Sequence, residues 1–226
     1  MIARPSLAAQ LAEQPIPDTL RAQLQALRSC SDTVSTLVAI GASTGGPEAL
    51  LSLLSQVRVE HHAVLISQHM PARFLARLVK RLNTRLDMEV RIADRDQPIE
   101  PGHCYLAPGD RHLRAGLVAG RLVATTHDSE PVNGHRPSVN VMFQSVAQLG
   151  RVRTVSVLMT GMGRDGAAGL LAARNAGGLC LAQDRHSSVV WGMPGAAVEL
   201  GAPHAVLPLD TLGRALAALL TPAARR

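Results

Sequence analysis

The chain has 226 residues, of which 46% are hydrophobic and 18% are charged. This length and apolar content suit one globular domain with a full core, and no apolar run reaches the roughly 18 residues that a membrane span needs. The net charge of +6 would suit nucleic acid. The aromatic residues are too scattered, however, to form a base-stacking platform; they are Phe74, Tyr105, Phe143 and Trp191. We therefore expect neither membrane insertion nor a nucleic-acid partner.

The N-terminal segment indicates where the domain begins, and the cysteines indicate the redox compartment in which the chain works. Residues 1–33 are polar and rich in proline, and they lack an apolar stretch of signal-peptide type. We predict an arm or linker there, with one short helix over Asp18–Arg28, and a catalytic domain over 34–226. The three cysteines, Cys30, Cys104 and Cys180, are odd in number and far apart, so they fit neither a disulfide framework nor a C-x-x-C metal site. A reducing, cytoplasmic setting is expected.

Strand and helix patterns alternate from Leu37 onward. The apolar strand runs do not alternate with polar residues, as expected of parallel strands buried on both faces. The pattern predicts an α/β fold, a three-layer doubly wound domain with a mainly parallel sheet. Predicted strands are Leu37–Ile40, Ala63–Ser67, Glu89–Ala93, Thr154–Met159, Leu179–Ala182 and His204–Leu207. Predicted helices are Pro47–Leu54, Ala72–Leu82, Ser138–Leu149, Gly166–Ala176, Pro194–Leu200 and Leu212–Leu220.

The interval Cys104–Thr126 departs from this alternation. It consists of short strand-like runs separated by glycine turns. Such spacing is typical of antiparallel strands joined by tight connections. We predict a β-hairpin or small antiparallel extension of the domain.

The first predicted strand ends in a Gly-x-Ser-x-Gly-Gly turn that leads directly into a helix opened by Pro47. Small residues on both sides of Ser43 allow a sharp turn that holds the hydroxyl clear of the sheet, as a nucleophilic serine requires. Backbone N–H groups near Thr44, at the helix start, are suited to stabilise a developing oxyanion. Phosphate binding and a simple structural turn are the alternatives for this motif.

Two further reactive side chains follow strands of the same sheet. His69 comes after the second strand, and Asp165 lies in the glycine-rich turn after the Thr154–Met159 strand. Because loops at the carboxyl ends of parallel strands converge on one crevice, Ser43, His69 and Asp165 would meet there as nucleophile, base and orienting acid. Taken singly, His69 could be a structural histidine and Asp165 a helix cap.

The other histidines are not predicted to belong to this site. His61 and His62 precede a strand and belong at its opposite end, while four more fall in the predicted hairpin or its exit loop: His103, His112, His127 and His135. His186 and His204 follow and begin late strands. No pair has metal-ligand spacing, and we predict neither a metal nor a cofactor.

One helix concentrates basic residues directly after His69. The cluster comprises Arg73, Arg77, Lys80, Arg81 and Arg85. It fits an ordinary solvated face, a surface that attracts an acidic protein partner, or nucleic acid.

Several long motifs, in order, carry a resemblance to a known family. They are AIGASTGGPEAL, SQHMP, CYLAPGDRHL, PVNGHRPSVNVMFQSVA, VLMTGMGRDGAAGL and AQDRHSSVVWGMPGAA, and together they cover roughly residues 34–220. The chain resembles the catalytic domain of the CheB chemotaxis protein-glutamate methylesterases. The resemblance implies a serine hydrolase that demethylates glutamate methyl esters on methyl-accepting chemoreceptor helices and also deamidates glutamines. It assigns catalysis to Ser43, His69 and Asp165, and adds Met162 to the oxyanion site.

The chain also departs from the family pattern at several positions. Gly195-Ala196 stands where Arg-Glu is common, Arg185-His186 replaces an acidic position, and Asn140 replaces an aspartate. None of these is expected to touch the triad. Family members usually carry an N-terminal receiver domain, and residues 1–33 are too few to form one. We therefore expect a free-standing catalytic domain that is not switched by phosphorylation of its own receiver.

Three rival hypotheses remain at this point. Amide hydrolysis could be the main activity of the same triad. A non-catalytic docking module of a chemosensory array is possible in principle, although an intact triad argues against it. A nucleotide-binding Rossmann-like protein is disfavoured because the G-x-G-x-x-G spacing is missing and no acidic residue follows the second strand.

Overall fold

The computed structural model describes residues 34–150 and 152–221, so the predicted arm and its Asp18–Arg28 helix lie outside the described residues. Strands and helices alternate through most of this range, and none of its helices combines the length and apolar character needed to cross a bilayer. The strands are β1 Leu37–Ala42, β2 Ala63–Gln68, β3 Glu89–Ile92, β4 Gln97–Pro98, β5 His103–Leu106, β6 His112–Val118, β7 Arg121–His127, β8 Thr154–Leu158, β9 Leu179–Gln183 and β10 Ala205–Leu207. The helices are α1 Gly46–Leu54, α2 Ala72–Arg85, α3 Val139–Ala147, α4 Ala167–Asn175, α5 Gly192–Glu199 and α6 Leu209–Leu220.

Seven strands form one parallel sheet in the order β10-β9-β8-β1-β2-β5-β3. After β1 the chain builds outward through β2, and it later returns to the other side of β1 at β8. The order of the strands therefore reverses between β1 and β8. In doubly wound sheets this reversal opens a crevice at the carboxyl ends of the strands.

Alternate side chains of β1 divide the core between the two faces of the sheet. Val38 and Ile40 pack into a cluster with apolar residues of α1, α2 and α6. Leu37 and Ala39 pack into a second cluster with α3, α4, α5 and the hairpin. Helices thus cover both faces, and the predicted three-layer, mainly parallel fold is confirmed.

The antiparallel extension is present, but its hairpin begins later than predicted. Strands β6 and β7 form a hairpin that, with β4, makes a separate three-stranded antiparallel sheet. Cys104–Leu106 is instead part of β5, a parallel strand between β2 and β3. The reason is burial on both faces: all three side chains are fully buried, which suits an interior strand better than a half-exposed hairpin.

Candidate active site

Ser43 lies on a tight turn between β1 and α1. Its N–H donates to the Thr160 carbonyl (3.0 Å), and its own carbonyl accepts from Gly46 N (2.9 Å). Gly45 caps the helix with a φ of 80°, a left-handed conformation that favours glycine. The turn therefore holds a half-exposed serine at the carboxyl end of β1, as the sequence motif predicted.

Close packing against Ser43 explains why a glycine, Gly161, stands in the turn after the neighbouring strand β8. A Cβ on Gly161 would lie 2.7 Å from Ser43 Cβ and closer still to Met193 Sδ. Real side chains do not approach this closely, so only glycine fits behind Ser43. The turn after β8 thus fixes the position of the turn after β1.

His69 follows β2 and is tied by its backbone to the serine turn. Its N–H donates to the Ala42 carbonyl (3.0 Å). The Gln68 side-chain amide donates to the carbonyls of both Ser43 (2.9 Å) and His69 (3.1 Å). These bonds hold the two turns side by side at the crevice.

The His69 imidazole is bonded to Asp165. Its Nε2 lies 2.8 Å from Asp165 Oδ2, and the side chains are 8% and 0% exposed. The other ring nitrogen, Nδ1, is buried and has no hydrogen-bond partner among the described residues. The structure therefore joins His69 directly to Asp165, while Ser43 and His69 are linked through backbone bonds and Gln68 rather than through a hydrogen bond of the serine hydroxyl.

Asp165 is surrounded by hydrogen-bond donors. Besides His69, its carboxylate accepts from Ser138 Oγ (2.8 Å), Val139 N (2.7 Å), Asn140 N (3.3 Å) and Asn133 Nδ2 (3.2 Å). Burial by itself raises the pKa of Asp165, but these bonds outweigh it and lower the pKa to about 2. The carboxylate is therefore ionised at neutral pH.

Two of those donors belong to the first turn of α3. Ser138 caps this helix with its hydroxyl, and Val139 and Asn140 supply backbone N–H groups that have no partner within the helix. A buried carboxylate at a helix N-terminus is also favoured by the helix dipole. The alternative interpretation of Asp165, as the cap of the helix that follows it, does not hold, because that helix has no side-chain cap.

Sequence analysis missed the loop before α3 as part of this site. His135, assigned from the sequence to a hairpin exit loop, stacks on His69 with ring centroids 3.9 Å apart. Asn133 and Ser138 bond to Asp165 from the same loop. The dipeptide Asn133-Gly134, which favours a tight turn, was the signal that could have marked this loop as ordered.

Thr44 and Met162 are exposed residues next in the chain to Ser43 and to Gly161, which packs against Ser43. Their backbone N–H groups have no hydrogen-bond acceptor in the part of the chain that is described. The Thr44 carbonyl accepts from Thr160 Oγ1 (2.9 Å), which anchors this turn. Met162 is 72% exposed. Their part in an oxyanion site stays a prediction.

The residues that depart from the family pattern differ in whether they contact the His69–Asp165 pair. Contrary to expectation, Asn140 contacts Asp165 through its backbone N–H, while its side-chain oxygen accepts from Gly169 N (2.7 Å). The expectation failed because backbone donors are invisible in a side-chain comparison. Gly195 and Ala196 are buried in α5, whereas Arg185 and His186 are exposed after β9. No cluster of three or more His, Cys, Asp or Glu able to hold a metal occurs within the described ranges.

Comparison with known proteins decides the family. The family model of the CheB methylesterases matches residues 38–216. The chain belongs to the CheB methylesterase family. A solved CheB methylesterase catalytic domain from Thermotoga maritima superposes with a TM-score of 0.76 at 31% identity, covering 84% of this chain and all of that one.

Curated relatives of the CheB family are considerably longer than the matched region. A protein-glutamate methylesterase/protein-glutamine glutaminase 2 of Xanthomonas oryzae pv. oryzae is 48% identical over 187 residues, which is 83% of this chain and 52% of the relative. A relative of the same name from Bordetella avium is 45% identical over 199 residues, covering 88% and 57%. The chain therefore spans about half the length of the curated relatives it matches.

Proposed function

We propose that this chain is a serine hydrolase that demethylates glutamate methyl esters on chemoreceptor proteins. The observation that carries the proposal is the buried His69–Asp165 pair beside the Ser43 turn, in a chain of the CheB family. Ser43, His69 and Asp165 follow three adjacent strands, β1, β2 and β8. This arrangement supports their roles as nucleophile, base and orienting acid of a serine triad.

The hydrogen bonds support Nδ1 as the nitrogen of His69 that acts as the base. Ionised Asp165 can only accept, so His69 Nε2 carries the hydrogen that it donates to Oδ2. The lone pair of the neutral ring is then on Nδ1, the nitrogen without a partner in the described structure. Nδ1 takes the proton of Ser43 Oγ as the oxygen attacks the ester carbonyl.

In the remaining steps His69 passes this proton to the leaving group and then acts as the base once more. The tetrahedral intermediate carries its negative charge on the former carbonyl oxygen, toward which the N–H groups of Thr44 and Met162 are available. As it collapses, the bond to methoxide breaks and His69 returns the proton, so methanol leaves. Water then attacks the acyl-enzyme with His69 again as base, which restores Ser43 and frees a glutamate carboxylate.

Deamidation of receptor glutamines is a second reaction of the same site. The relatives are named for both activities, and an amide forms the same glutamyl-enzyme with ammonia in place of methanol as the leaving group. Protonation of that leaving group by His69 is needed more for an amide than for an ester, because the amide anion NH2− is a much poorer leaving group than methoxide.

The surroundings of Ser43 suit an ester that projects from a protein surface. Two large apolar side chains near the serine are open to solvent: Met162 is 72% and Val189 is 70% exposed. Val189 packs against Gly45, the residue two positions after Ser43. An open, apolar rim accommodates the side of a receptor helix, and we assign the cytoplasmic helices of methyl-accepting chemoreceptors as the partner.

Methanol release from methylated receptor fragments tests the proposal. Ser43→Ala should lower turnover by about 10⁴–10⁶-fold, the scale found when a triad serine is removed. Ser52→Ala, an exposed serine on α1, is the matched control and should leave turnover unchanged. Retention of more than a tenth of the activity by Ser43→Ala would contradict the assignment.

Parallel assays separate the rival functions. Fragments that carry glutamine in place of the methyl ester measure deamidation, and a higher turnover on these would make amide hydrolysis the main activity. Binding of receptor fragments without any turnover by the unaltered chain would favour the docking module.

A further inference from the structure

The imidazole of His135 lies flat on the imidazole of His69. The two ring centroids are 3.9 Å apart and the planes differ by 9°. Since His69 Nε2 is fixed by Asp165, the hydrogen bond sets the direction of the ring and the stack sets its plane. The catalytic steps proposed above assign no role to His135.

A tight turn delivers His135 to this position. Val132 and His135 exchange two backbone hydrogen bonds, of 3.1 and 3.0 Å. Between them Asn133 and Gly134 have φ values of 55° and 76°, the positive values that a two-residue type I′ turn requires. The same turn directs Asn133 Nδ2 to Asp165 Oδ1 (3.2 Å), so it touches both members of the pair.

Further bonds hold the loop at both ends. The Arg136 guanidinium donates to the carbonyls of Asp128 (2.8 Å) and Ser129 (3.1 Å). Ser138 N donates to Nδ1 of the fully buried His112, whose Nε2 lies 3.0 Å from the Glu130 carbonyl. A loop anchored in this way can impose an orientation on the ring it covers.

The charges around His135 favour an uncharged ring. Burial lowers the pKa of His135, the neighbouring His69 lowers it further, and Asp165 raises it. His69 and Asp165 are the charged groups that shift the pKa of His135. The neighbouring Arg136 remains a cation, and its guanidinium is held at the carbonyls of Asp128 and Ser129. A neutral ring leaves its neighbour free to become a cation, whereas two stacked cations repel each other.

We propose that His135 is a positioning residue, whose uncharged ring holds the His69 imidazole in the plane that serves Ser43 and Asp165. This inference rests on the proposed function and names a residue that the triad alone does not include. Shape and neutrality are the required properties, so another flat uncharged ring should substitute for the histidine.

Three substitutions at His135 separate orientation from charge. His135→Phe keeps the stack and should retain kcat within about threefold. His135→Ala removes the stack and should lower kcat by roughly 10–100-fold with KM within about twofold, because a misplaced base slows chemistry more than binding. His135→Arg places a permanent cation over His69, so the acidic limb of the kcat/KM profile should move about one pH unit lower.

Several outcomes would overturn the inference. An alanine variant with full kcat, a phenylalanine variant as impaired as alanine, or an acidic limb unmoved by arginine would each do so. His127→Ala, an exposed histidine at the end of β7, is the matched control and should leave kcat and KM unchanged. Thermal melting shows whether each variant still folds. If His135→Ala does not fold, the results for His135→Phe and His135→Arg decide the test.

A second assay keeps this test independent of the natural substrate. The rate at which a fluorophosphonate probe phosphonylates Ser43, with fluoride as the leaving group, depends on the His69 base but not on recognition of a receptor. If methylated fragments are not hydrolysed and the probe still reacts in the order wild type, Phe, then Ala, the proposed substrate is wrong and the role of His135 stands. If the probe reacts equally with all variants, the role of His135 is refuted.

Discussion

The single residue that explains most of the site is Asp165. A carboxylate with a fully buried side chain would ordinarily be protonated, yet hydrogen bonds from His69, Ser138 and the start of α3 keep it charged. Its charge in turn places the hydrogen of His69 on Nε2 and the lone pair on Nδ1. The sequence located Asp165 by its glycine-rich turn, but most of its donors come from the loop before α3 and the first turn of α3, about 30 residues earlier in the chain.

The lowered pKa of Asp165 predicts how stability depends on pH. The pKa is about 2 in the folded chain and about 3.9 when unfolded, which corresponds to about 2–3 kcal/mol of stabilisation. Because the folded value is the lower one, this contribution is complete above about pH 5 and is lost as pH falls toward 2. Asp165→Asn should therefore be destabilised at pH 6, with a smaller difference from wild type near pH 2.5, in urea unfolding. The exposed Asp87→Asn is the control and should show no such convergence.

At the scale of elements, the site depends on two turns that pack against each other. The turn after β1 presents Ser43, and the turn after β8 approaches it so closely that only Gly161 fits. Hydrogen bonds from Ser43 N to Thr160 O and from Thr160 Oγ1 to Thr44 O join the two. The glycines of both turns are visible in the sequence, but the contact between them depends on β1 and β8 being neighbours in the sheet.

This contact predicts a large effect from one methyl group. Gly161→Ala should displace Ser43, lower kcat/KM on the order of 10²-fold and reduce the free energy of unfolding by about 1–3 kcal/mol. Gly116→Ala is the control, since a Cβ in that part of β6 meets nothing within 4 Å. Steady-state kinetics and urea unfolding measure both effects. An active Gly161→Ala enzyme would mean that the turns can separate without cost.

For the whole molecule, the sheet separates a basic helix on one face from the hairpin on the other. On α2, the residues Arg73, Arg77 and Lys80 are exposed. Arg81 is not available to a partner in the same way, because it forms a two-pronged ion pair with Glu48 of α1. The basic surface of α2 is therefore smaller than the number of arginines and lysines in its sequence suggests.

Charge reversal tests whether this face attracts receptor helices, which become acidic as their esters are removed. Arg77→Glu with Lys80→Glu should raise KM for receptor fragments and weaken its salt dependence, with kcat nearly unchanged. Arg114→Glu with Arg121→Glu, both exposed on the hairpin, changes the net charge equally and should have little effect. Equal KM values for the two double variants at low salt would indicate an ordinary solvated helix.

The sequence by itself determined the fold class and the positions of the candidate triad. Buried, non-alternating runs such as those of β1, β2 and β8 can only pair in a two-sided parallel sheet, and turns at their carboxyl ends must then meet. Ser43, His69 and Asp165 followed from that local information alone.

Only the tertiary structure decided what surrounds those residues. The assignment of Cys104–Leu106 to an interior strand, the donors on Asp165 and the stack of His135 on His69 all join segments far apart in the chain. No local pattern marks such contacts, since a histidine in a loop has the same sequence neighbours whether it faces solvent or the ring of another histidine. The position of such a histidine depends on how the loop before α3 packs against the rest of the domain, because burial and hydrogen bonding of this loop depend on all the layers of the fold at once.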